Sequence, residues 1–396
     1  MPEPTSKGTS ENGMKIKAHP RDFIVEEILG IRAHTTGSHR LLKLTKQGLN
    51  TSDALRRIAS QNKLSLRDIG YGGRKDKHAH AVQYITIKSR KPPRPLKHKD
   101  LSLDEAGWLN RPMGPDLIAA NHFRITVRDL TPEEIKNALI QLDRLGRHGF
   151  FNYFDDQRFG PFDALQGFLA EKIIKKHFNG ALKFFITHAG SEDRKPERER
   201  KKRLFSIWGH WDKCADEAVS DFERTAFARL KTRPGDFTQI LRAIPADELG
   251  FHFASYQSFL WNEILRRLVL KTGEPVRCYP GTCGDYLFSD RFEGYPASLP
   301  TASSRMDFAD PGTKNEYARL FEEQGIKASL FNVKKIRQAY FKSASRQVLS
   351  MPETLRFSTE NDDLHENKNK LLLQFSLRRG SYATMLIKNI FASGKT

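Results

Sequence analysis

The chain has 396 residues, 38% of them hydrophobic and 10% aromatic, which is enough for two folded domains and excludes a wholly disordered protein. Its 66 lysine and arginine residues against 47 acidic residues give a formal net charge of +19, so we expect a polyanionic partner. Nucleic acid is favoured over a membrane surface because no basic amphipathic helix and no long apolar run is evident. Three cysteines without metal-site spacing, and no signal peptide, predict a cytoplasmic protein without a structural metal.

The first part of the chain is predicted to be α+β. Alternating apolar residues predict strands, and apolar residues at helical spacing behind Asn50 and Thr51 predict a helix. Thr131, followed by Pro132 and Glu134, is a capping box that predicts the start of a second helix. The segments, in chain order, are "DFIVEEI" (22–28), "HRLLKLTK" (39–46), "NTSDALRRIASQNKL" (50–64), "AVQYITIKS" (81–89) and "NHFRITVRDL" (121–130).

The middle of the chain has a different character. Residues 163–178 and 254–271 read as helices, and the charged segment "RKPERERKKR" at 194–203 reads as a mobile loop that either contacts a polyanion or is only a solvated charge run. The α+β pattern then returns, ending in a strand and a short helix behind Gly380 and Ser381. We therefore predict an α+β domain formed by residues 1–157 and 337–396, an inserted, mostly helical domain at 158–336, and disorder in residues 1–13.

Common catalytic motifs are absent from the sequence. It contains no dinucleotide-binding glycine loop, P-loop, nucleophile elbow or HExxH zinc motif. What remains is Asp76, an acid between Lys75 and Lys77 in the glycine-rich segment "GYGGRKDKHA" (70–79). An aspartate in such a turn is most often a surface ion pair, but neighbouring cations also keep a nucleophilic carboxylate ionised, and glycines let a substrate approach the backbone.

Seven segments between residues 17 and 390 carry a resemblance to a known family: "KAHPRDFIVEEI" (17–28), "NTSDALRRIA" (50–59), "GGRKDKHA" (72–79), "NHFRITVRD" (121–129), "FNYFDDQRFG" (151–160), "FASYQSFLWNEIL" (253–265) and "GSYATMLIKNI" (380–390). In the same order, they resemble the motifs of the TruD-type tRNA pseudouridine synthases. This resemblance implies a pseudouridine synthase catalytic fold at 1–157 and 337–396, with a mixed, largely antiparallel sheet flanked by helices, and an inserted TRUD domain. It also implies isomerisation of uridine to pseudouridine in tRNA, at position 13, without cofactor or metal, and we expect a cytoplasmic monomer.

The resemblance makes Asp76 the catalytic residue. Attack on C1′ of the ribose, attack on C6 of the uracil, and removal of a sugar proton all remain open. Lys17 would keep the carboxylate ionised, Asn121 would orient it, and Phe123 would stack on the freed uracil. The further residues expected to bind the substrate are Lys75, Asn152, Gln157, Arg158 and Tyr382.

Two departures and two alternatives accompany the resemblance. Arg74 stands where the family commonly has an uncharged residue, and Asp155 stands where it commonly has glycine, which puts the turn geometry there in doubt. The chief alternative is a catalytically inactive tRNA-binding protein or RNA chaperone of the same fold. A basic protein that binds duplex DNA is disfavoured because no recognition-helix motif is evident.

Overall fold

The structure, a computed structural model, describes residues 15–88, 94, 97–190, 193–336 and 340–394. The segment 1–13, for which disorder is predicted, lies outside the described residues, as does the start of the predicted second segment of the α+β domain at 337. None of the described helices is both long and apolar enough to cross a membrane.

Nineteen strands occur in the described residues, and most belong to one large sheet. In chain order they are β1 Lys15–Ile16, β2 Phe23–Leu29, β3 His39–Lys46, β4 Ile69–Tyr71, β5 His80–Ile87, β6 Lys97–His98, β7 Leu101–Leu109, β8 Ile118–Leu130, β9 Phe150–Phe151, β10 Phe162–Asp163, β11 Gly167–Phe168, β12 Val276–Tyr279, β13 Tyr286–Ser289, β14 Ser298–Pro300, β15 Ser345–Gln347, β16 Leu349–Ser350, β17 Glu353–Asn361, β18 Asn369–Arg378 and β19 Ser393–Gly394.

The same residues form eleven α-helices and five short 3₁₀ helices. The α-helices are α1 Thr51–Asn62, α2 Pro132–His148, α3 Leu169–Ile174, α4 Phe178–Thr187, α5 Lys195–Ser206, α6 Trp211–Asp216, α7 Asp221–Thr232, α8 Phe237–Leu241, α9 Ala246–Lys271, α10 Pro311–Glu323 and α11 Ala383–Ile390. The 3₁₀ helices are Pro20–Asp22, Leu66–Asp68, Pro115–Leu117, Asp156–Phe159 and Ala328–Phe331.

By compactness the chain divides into two units. The first contains the described residues up to Phe150 together with Ser350–Phe391, and the second contains Phe151–Leu349 and the described residues from Ala392. These boundaries lie near, but not at, the domain boundaries at residues 157 and 337 that the sequence predicted. The assignment of a catalytic domain at 1–157 and 337–396 and an inserted domain at 158–336 stays a prediction.

The first unit is built on a ten-stranded sheet with the order β17-β18-β8-β2-β5-β3-β7-β6, in which β1 also pairs with β8 and β4 with β5. Only the β2–β5 pair is parallel, and the other described pairs are antiparallel. The expected mixed, largely antiparallel sheet is therefore confirmed.

Side chains on β8 alternate between the two faces of the sheet. Phe123 and Ile125 are buried, whereas Arg124 between them is exposed, as the sequence pattern predicted. We call the face that carries Asn121, Phe123 and Ile125 the inner face, and the face that carries Arg124 the outer face. Strand register places Phe375 of β18 on the inner face, directly opposite Phe123.

Local signals placed several helices correctly. The amide of Glu134 donates to Thr131 Oγ1 at 3.2 Å, and the amide of Thr131 donates to a Glu134 carboxylate oxygen at 2.7 Å, which confirms the capping box at the start of α2. Helix α1 lies where the apolar spacing put it, and its buried Leu55 and Ile58 pack in one cluster with residues of β3 and β5. The expected terminal helix is α11.

The second unit is mostly helical, and α9 runs through it with many buried residues. Two predictions there are wrong. Residues 163–178 are not one helix: the Asp163 carboxylate accepts the amides of Leu165 and Gln166, forming a turn between β10 and β11, and Gly167 has a positive φ of 71°. The helical segment begins only after that turn.

The segment 194–203 is likewise not a loop. It forms most of α5, with Pro196 in the first turn, where the missing amide costs no hydrogen bond. Buried Arg200 pairs with Glu197 one turn earlier and with Glu223 of α7. These ion pairs hold a charge-rich sequence in a folded helix.

Candidate active site

The Asp76 loop, residues 72–79, connects β4 to β5 and begins with two glycines. A Cβ on Gly72 would lie 2.1 Å from Ile118 Cδ1, which is far inside van der Waals contact. Gly73 has a φ of +151°, a conformation that other residues rarely adopt. The glycines therefore allow the loop to pack closely against the start of β8.

Asp76 forms an ion pair with Lys17, as expected from the sequence. Lys17 Nζ lies 2.5 Å from Asp76 Oδ2, and the backbone amide of His78 donates to Oδ1 at 2.8 Å. Burial alone would raise the pKa of Asp76, but the charge and hydrogen bond of Lys17, together with the His78 amide, outweigh burial and hold this pKa below its usual value. The carboxylate is thus ionised, and its side chain is still 29% exposed.

A second lysine, which the sequence analysis did not single out, supports the backbone of the loop. Lys46 at the end of β3 is fully buried, and its Nζ donates to the carbonyl oxygen of Asp76 at 2.8 Å and to that of Leu49 at 2.9 Å. Burial lowers the pKa of Lys46 to about 8, although the charge of Asp76 opposes this shift. The sequence contained one indication that Lys46 is buried: it follows Leu42 and Leu44 at the next alternate position of the strand.

Lys75 and Asn121, both expected to bind substrate, contact each other. Lys75 Nζ donates to Asn121 Oδ1 at 2.8 Å and lies 2.8 Å from a carboxylate oxygen of Glu27, a fully buried residue on β2. The amide of Tyr84 donates to the other oxygen of Glu27 at 2.8 Å. Among the described contacts, the Asn121 amide therefore orients Lys75 and not the Asp76 carboxylate, and Glu27 is a site residue that the sequence reasoning missed.

The loop is also tied to the start of α1. The amide of Lys75 donates to Thr51 Oγ1 at 2.9 Å, and that hydroxyl donates to Gln83 of β5 at 3.1 Å. The side chains of Lys46 on β3 and Thr51 on α1 thus bond to the backbone of the Asp76 loop and fix its position. Arg74, the first departure from the family pattern, is exposed and does not take part in them.

Phe123 lies on the inner face among other aromatic rings. Its ring centroid is 5.5 Å from that of Phe375 in a stacked arrangement and 6.2 Å from that of Phe23 in an edge arrangement, and Phe123 is only 7% exposed. Lys17 Nζ lies 4.6 Å from the centroid of the Phe23 ring, which links this aromatic cluster to the ion pair. Stacking of Phe123 on a uracil stays a prediction.

The other expected site residues are distributed between the two units. Tyr382 is half-buried at the start of α11 in the first unit. In the second unit, Asn152 is buried, with its Nδ2 donating to the Gln347 carbonyl at 3.1 Å and its Oδ1 accepting from Arg346 at 2.7 Å. These contacts give Asn152 a packing role in its own unit, and any role toward RNA stays a prediction.

Gln157 and Arg158 belong to the short helix Asp156–Phe159. Gln157 is exposed, and the Arg158 guanidinium lies 5.7 Å from the ring centroid of Phe154. Asp155, the second departure from the family pattern, is buried, and its carbonyl accepts the amide of Arg158 at 2.8 Å, so the turn forms without glycine. Within the described ranges, no group of three or more His, Cys, Asp or Glu residues could hold a metal ion.

Comparison with known proteins identifies the family. The sequence profile described as tRNA pseudouridine synthase D (TruD) matches residues 5–293 and 290–390. The chain belongs to the TruD family. A tRNA pseudouridine synthase D of Leptospira interrogans serovar copenhageni is 30% identical over 95% of each chain, and one of Aquifex aeolicus is 25% identical over 96% of this chain and 98% of its own.

A solved TruD structure shows the same fold. The crystal structure of a Methanosarcina mazei protein described under the TruD name superposes with a TM-score of 0.70 at 23% identity, covering 95% of this chain and 93% of that one. In this TruD family member, the fold brings the ionised Asp76, its partner Lys17, the Lys75–Asn121 contact and buried Glu27 and Lys46 to one region of the first unit.

Proposed function

We propose that this TruD family member is a tRNA pseudouridine synthase, that it isomerises uridine 13 of tRNA, and that Asp76 is its nucleophile. The relatives named tRNA pseudouridine synthase D support the activity. The observation that carries the role of Asp76 is its ion pair with Lys17, because this contact keeps a partly exposed carboxylate ionised.

The reaction requires little beyond a nucleophile and a closed pocket. The bond between ribose C1′ and uracil N1 breaks, the base turns, a bond forms between C1′ and C5, and the C5 hydrogen leaves as a proton while N1 gains one. No net oxidation or hydrolysis occurs, so the proposed reaction needs no cofactor. Asp76 either forms an ester with C1′, adds to C6, or removes a sugar proton, and the geometry is compatible with each of these steps.

Lys17 has two effects on a carboxylate nucleophile. Its charge lowers the pKa of Asp76, which favours the reactive anion at neutral pH, and its hydrogen bond fixes the direction of Oδ2. The carbonyl contact of Lys46 and the amide contact of His78 hold the same residue from its backbone side and at Oδ1. Asp76 is therefore positioned before the substrate arrives, as electrostatic preorganisation requires.

The inactive RNA-binding alternative has no observation in its favour. An RNA chaperone needs no ionised carboxylate in a glycine-bounded loop supported by two lysines. A monomeric state, a cytoplasmic location and the position of the modified uridine are also parts of the proposal. Size-exclusion chromatography tests the first, cell fractionation the second, and mapping of pseudouridine the third.

The test is single-turnover release of tritium from 5-[³H]uridine-labelled tRNA at saturating enzyme, followed by mapping of pseudouridine by nucleotide position. Asp76→Asn keeps the side-chain shape but loses the anion, so release is expected to vanish while tRNA binding is retained. Asp104→Asn, which changes an exposed carboxylate on β7, is the matched control and is expected to behave as wild type. Substantial release by Asp76→Asn would place the catalytic carboxylate elsewhere.

A further inference from the structure

The outer face of the large sheet carries a cleft that the proposed reaction does not use. The cleft has a volume of about 340 Å³ and lies across β17, β18, β8 and the segment leading into β2. Three arginines line it, Arg21, Arg124 and Arg356, together with the polar side chains of Thr126, Ser358 and Gln374. None of the described residues that line it is acidic.

Strand register explains why the arginines meet. Arg356 on β17 lies opposite Gln374 on β18, and Gln374 lies opposite Arg124 on β8, so the three side chains form a row on one face. Ile24 of β2 continues this row, and Arg21 lies in the 3₁₀ helix just before β2. With strands about 4.8 Å apart, Arg124 and Arg356 emerge from backbones about 10 Å apart.

The three arginines are exposed, and their guanidinium groups make no hydrogen bond or ion pair with any residue in the part of the chain that the structure describes. This distinguishes them from the neighbouring cations on the same sheet. Lys43 lies 2.8 Å from Glu26, and Lys370 lies 3.3 Å from Glu360. The lysines on both sides of the cleft are thus paired with glutamates, whereas the three arginines within it have no acidic partner among the described residues.

The pKa of a nearby histidine is affected by burial and by two of these arginines. His80 of β5 lies opposite Ile24, on the same row of the outer face. Burial, and then the charges of Arg124 and Arg21, lower the pKa of its imidazole. Two of the arginines therefore act on one small region of the sheet surface.

We infer that this arginine cleft binds phosphate groups of the RNA backbone, at a segment of the tRNA remote from the target uridine. Arginine guanidinium groups form paired hydrogen bonds with phosphate oxygens, and a row spread over three strands suits successive phosphodiesters better than one free phosphate ion. A cleft that is open to solvent and lacks acids also suits a long anionic ligand.

The cleft is separate from the Asp76 site. Arg124 points away from the inner face, on which its strand neighbours Asn121 and Phe123 lie, and Asn121 contacts Lys75 of the Asp76 loop. The cleft therefore contributes to affinity and not to the chemical step. That the bound RNA is a tRNA rests on the proposed function. That the cleft binds phosphate groups does not rest on it.

The experiment compares a triple variant, Arg21→Gln, Arg124→Gln and Arg356→Gln, with a charge-matched control, Arg32→Gln, Lys63→Gln and Arg67→Gln, which changes three exposed cations outside the cleft. The affinity for an unmodified tRNA transcript is measured between about 50 and 200 mM KCl. The cleft variant is expected to reduce the slope of log K against log[KCl] by about 2 to 3, since each phosphate contact contributes about 0.7 to 0.9. The control is expected to keep the wild-type slope.

Two further measurements separate the possible outcomes. Tritium release in a single turnover at saturating enzyme is expected to be within about twofold of wild type for both triple variants, because neither changes the Asp76 site. Inorganic phosphate, added at constant ionic strength, is expected to displace tRNA only weakly from wild type. Strong displacement that is lost in the cleft variant, with an unchanged salt slope, would mean a site for free phosphate and would overturn the RNA assignment.

The inference and the proposed function fail separately. A wild-type enzyme that forms pseudouridine, with a cleft variant whose salt slope equals that of the control, would overturn the cleft alone. A wild-type protein that forms no pseudouridine, with a cleft variant of reduced slope, would leave the phosphate site standing and overturn the proposed activity.

Discussion

Lys17 lies in a backbone conformation that is uncommon for lysine. Its φ is 69°, in the left-handed region, which costs about 1 kcal/mol or more for a residue with a Cβ. The side chain that results from this backbone reaches both the Asp76 carboxylate and the ring of Phe23. Strain at one residue thus accompanies the contact that sets the charge of the proposed nucleophile.

Replacing Lys17 tests how that charge is maintained. In Lys17→Met the stem remains but the ammonium is lost, so burial dominates and the pKa of Asp76 is expected to rise. Because only the anion reacts, the acidic limb of the rate profile should move to higher pH. The measurement is single-turnover rate against pH, with Lys17→Arg as the control that keeps the charge; an acidic limb that does not move in Lys17→Met would show that Lys17 does not set this pKa.

The same ion pair links stability to pH. The folded-state pKa of Asp76 is lowered, so its contribution to stability is present above the unfolded value of 3.8 and is lost as the pH falls through the folded value. Lys17→Met should remove this contribution, and its thermal midpoint should depend less on pH in the acidic range.

At the scale of single elements, α5 shows how a charge-rich sequence becomes structure. Lys201 lies 2.8 Å from Asp193, and Arg203 lies 2.9 Å from Glu217. Arg200 is buried and shared between Glu197 and Glu223. Most of these acids lie outside the segment 194–203, and their ion pairs offset part of its positive charge. Arg194, Lys195 and Arg198 remain exposed on the helix surface.

Arg200 and Lys202 give a matched pair of substitutions on this helix. Arg200→Ala leaves Glu223 buried without its partner, and we expect it to destabilise the protein by about 3 to 5 kcal/mol. Lys202→Ala changes a side chain that is 75% exposed and should alter stability by less than about 0.5 kcal/mol. Thermal unfolding of the full chain measures both, and equal midpoints for the two variants would contradict the buried ion pair.

Sequence alone predicted what depends on neighbours along the chain. The capping box at Thr131, the alternation on β8 and the helix at α1 are local signals, and each is confirmed. The ordered motifs also pointed to the contact of Lys17 with Asp76, although these residues are far apart in sequence. The partners of Arg200, Glu27 and Lys46 depend on which strands and helices become neighbours, and no local pattern contains that information. The alternation along β3 indicated only that Lys46 lies on the buried side of its strand.

At the scale of the whole molecule, a formal net charge of +19 affects association before any specific contact forms. Long-range attraction of this kind does not distinguish one tRNA from another. On the proposed function, discrimination among RNAs comes from contacts at Asp76, which form only when the target nucleotide leaves its stack.

A substrate tRNA and the same transcript with uridine 13 replaced by cytidine should therefore bind with similar affinity at low salt. Both affinities should fall steeply between about 50 and 200 mM KCl because counterion release dominates binding. Fluorescence anisotropy over this range measures the two curves, and a salt-independent affinity for either RNA would contradict an electrostatic origin.

The strand order of the large sheet also determines when the protein can finish folding during translation. β8 has β2 on one side and β18 on the other, and β18 is synthesised only after residues Phe151–Leu349 of the second unit. Until then the β18 side of β8 presents unpaired amide and carbonyl groups, which can pair with another nascent chain. A chain that ends before Asn369 lacks the strand that covers this edge, so premature termination should yield aggregation-prone fragments rather than a smaller working enzyme.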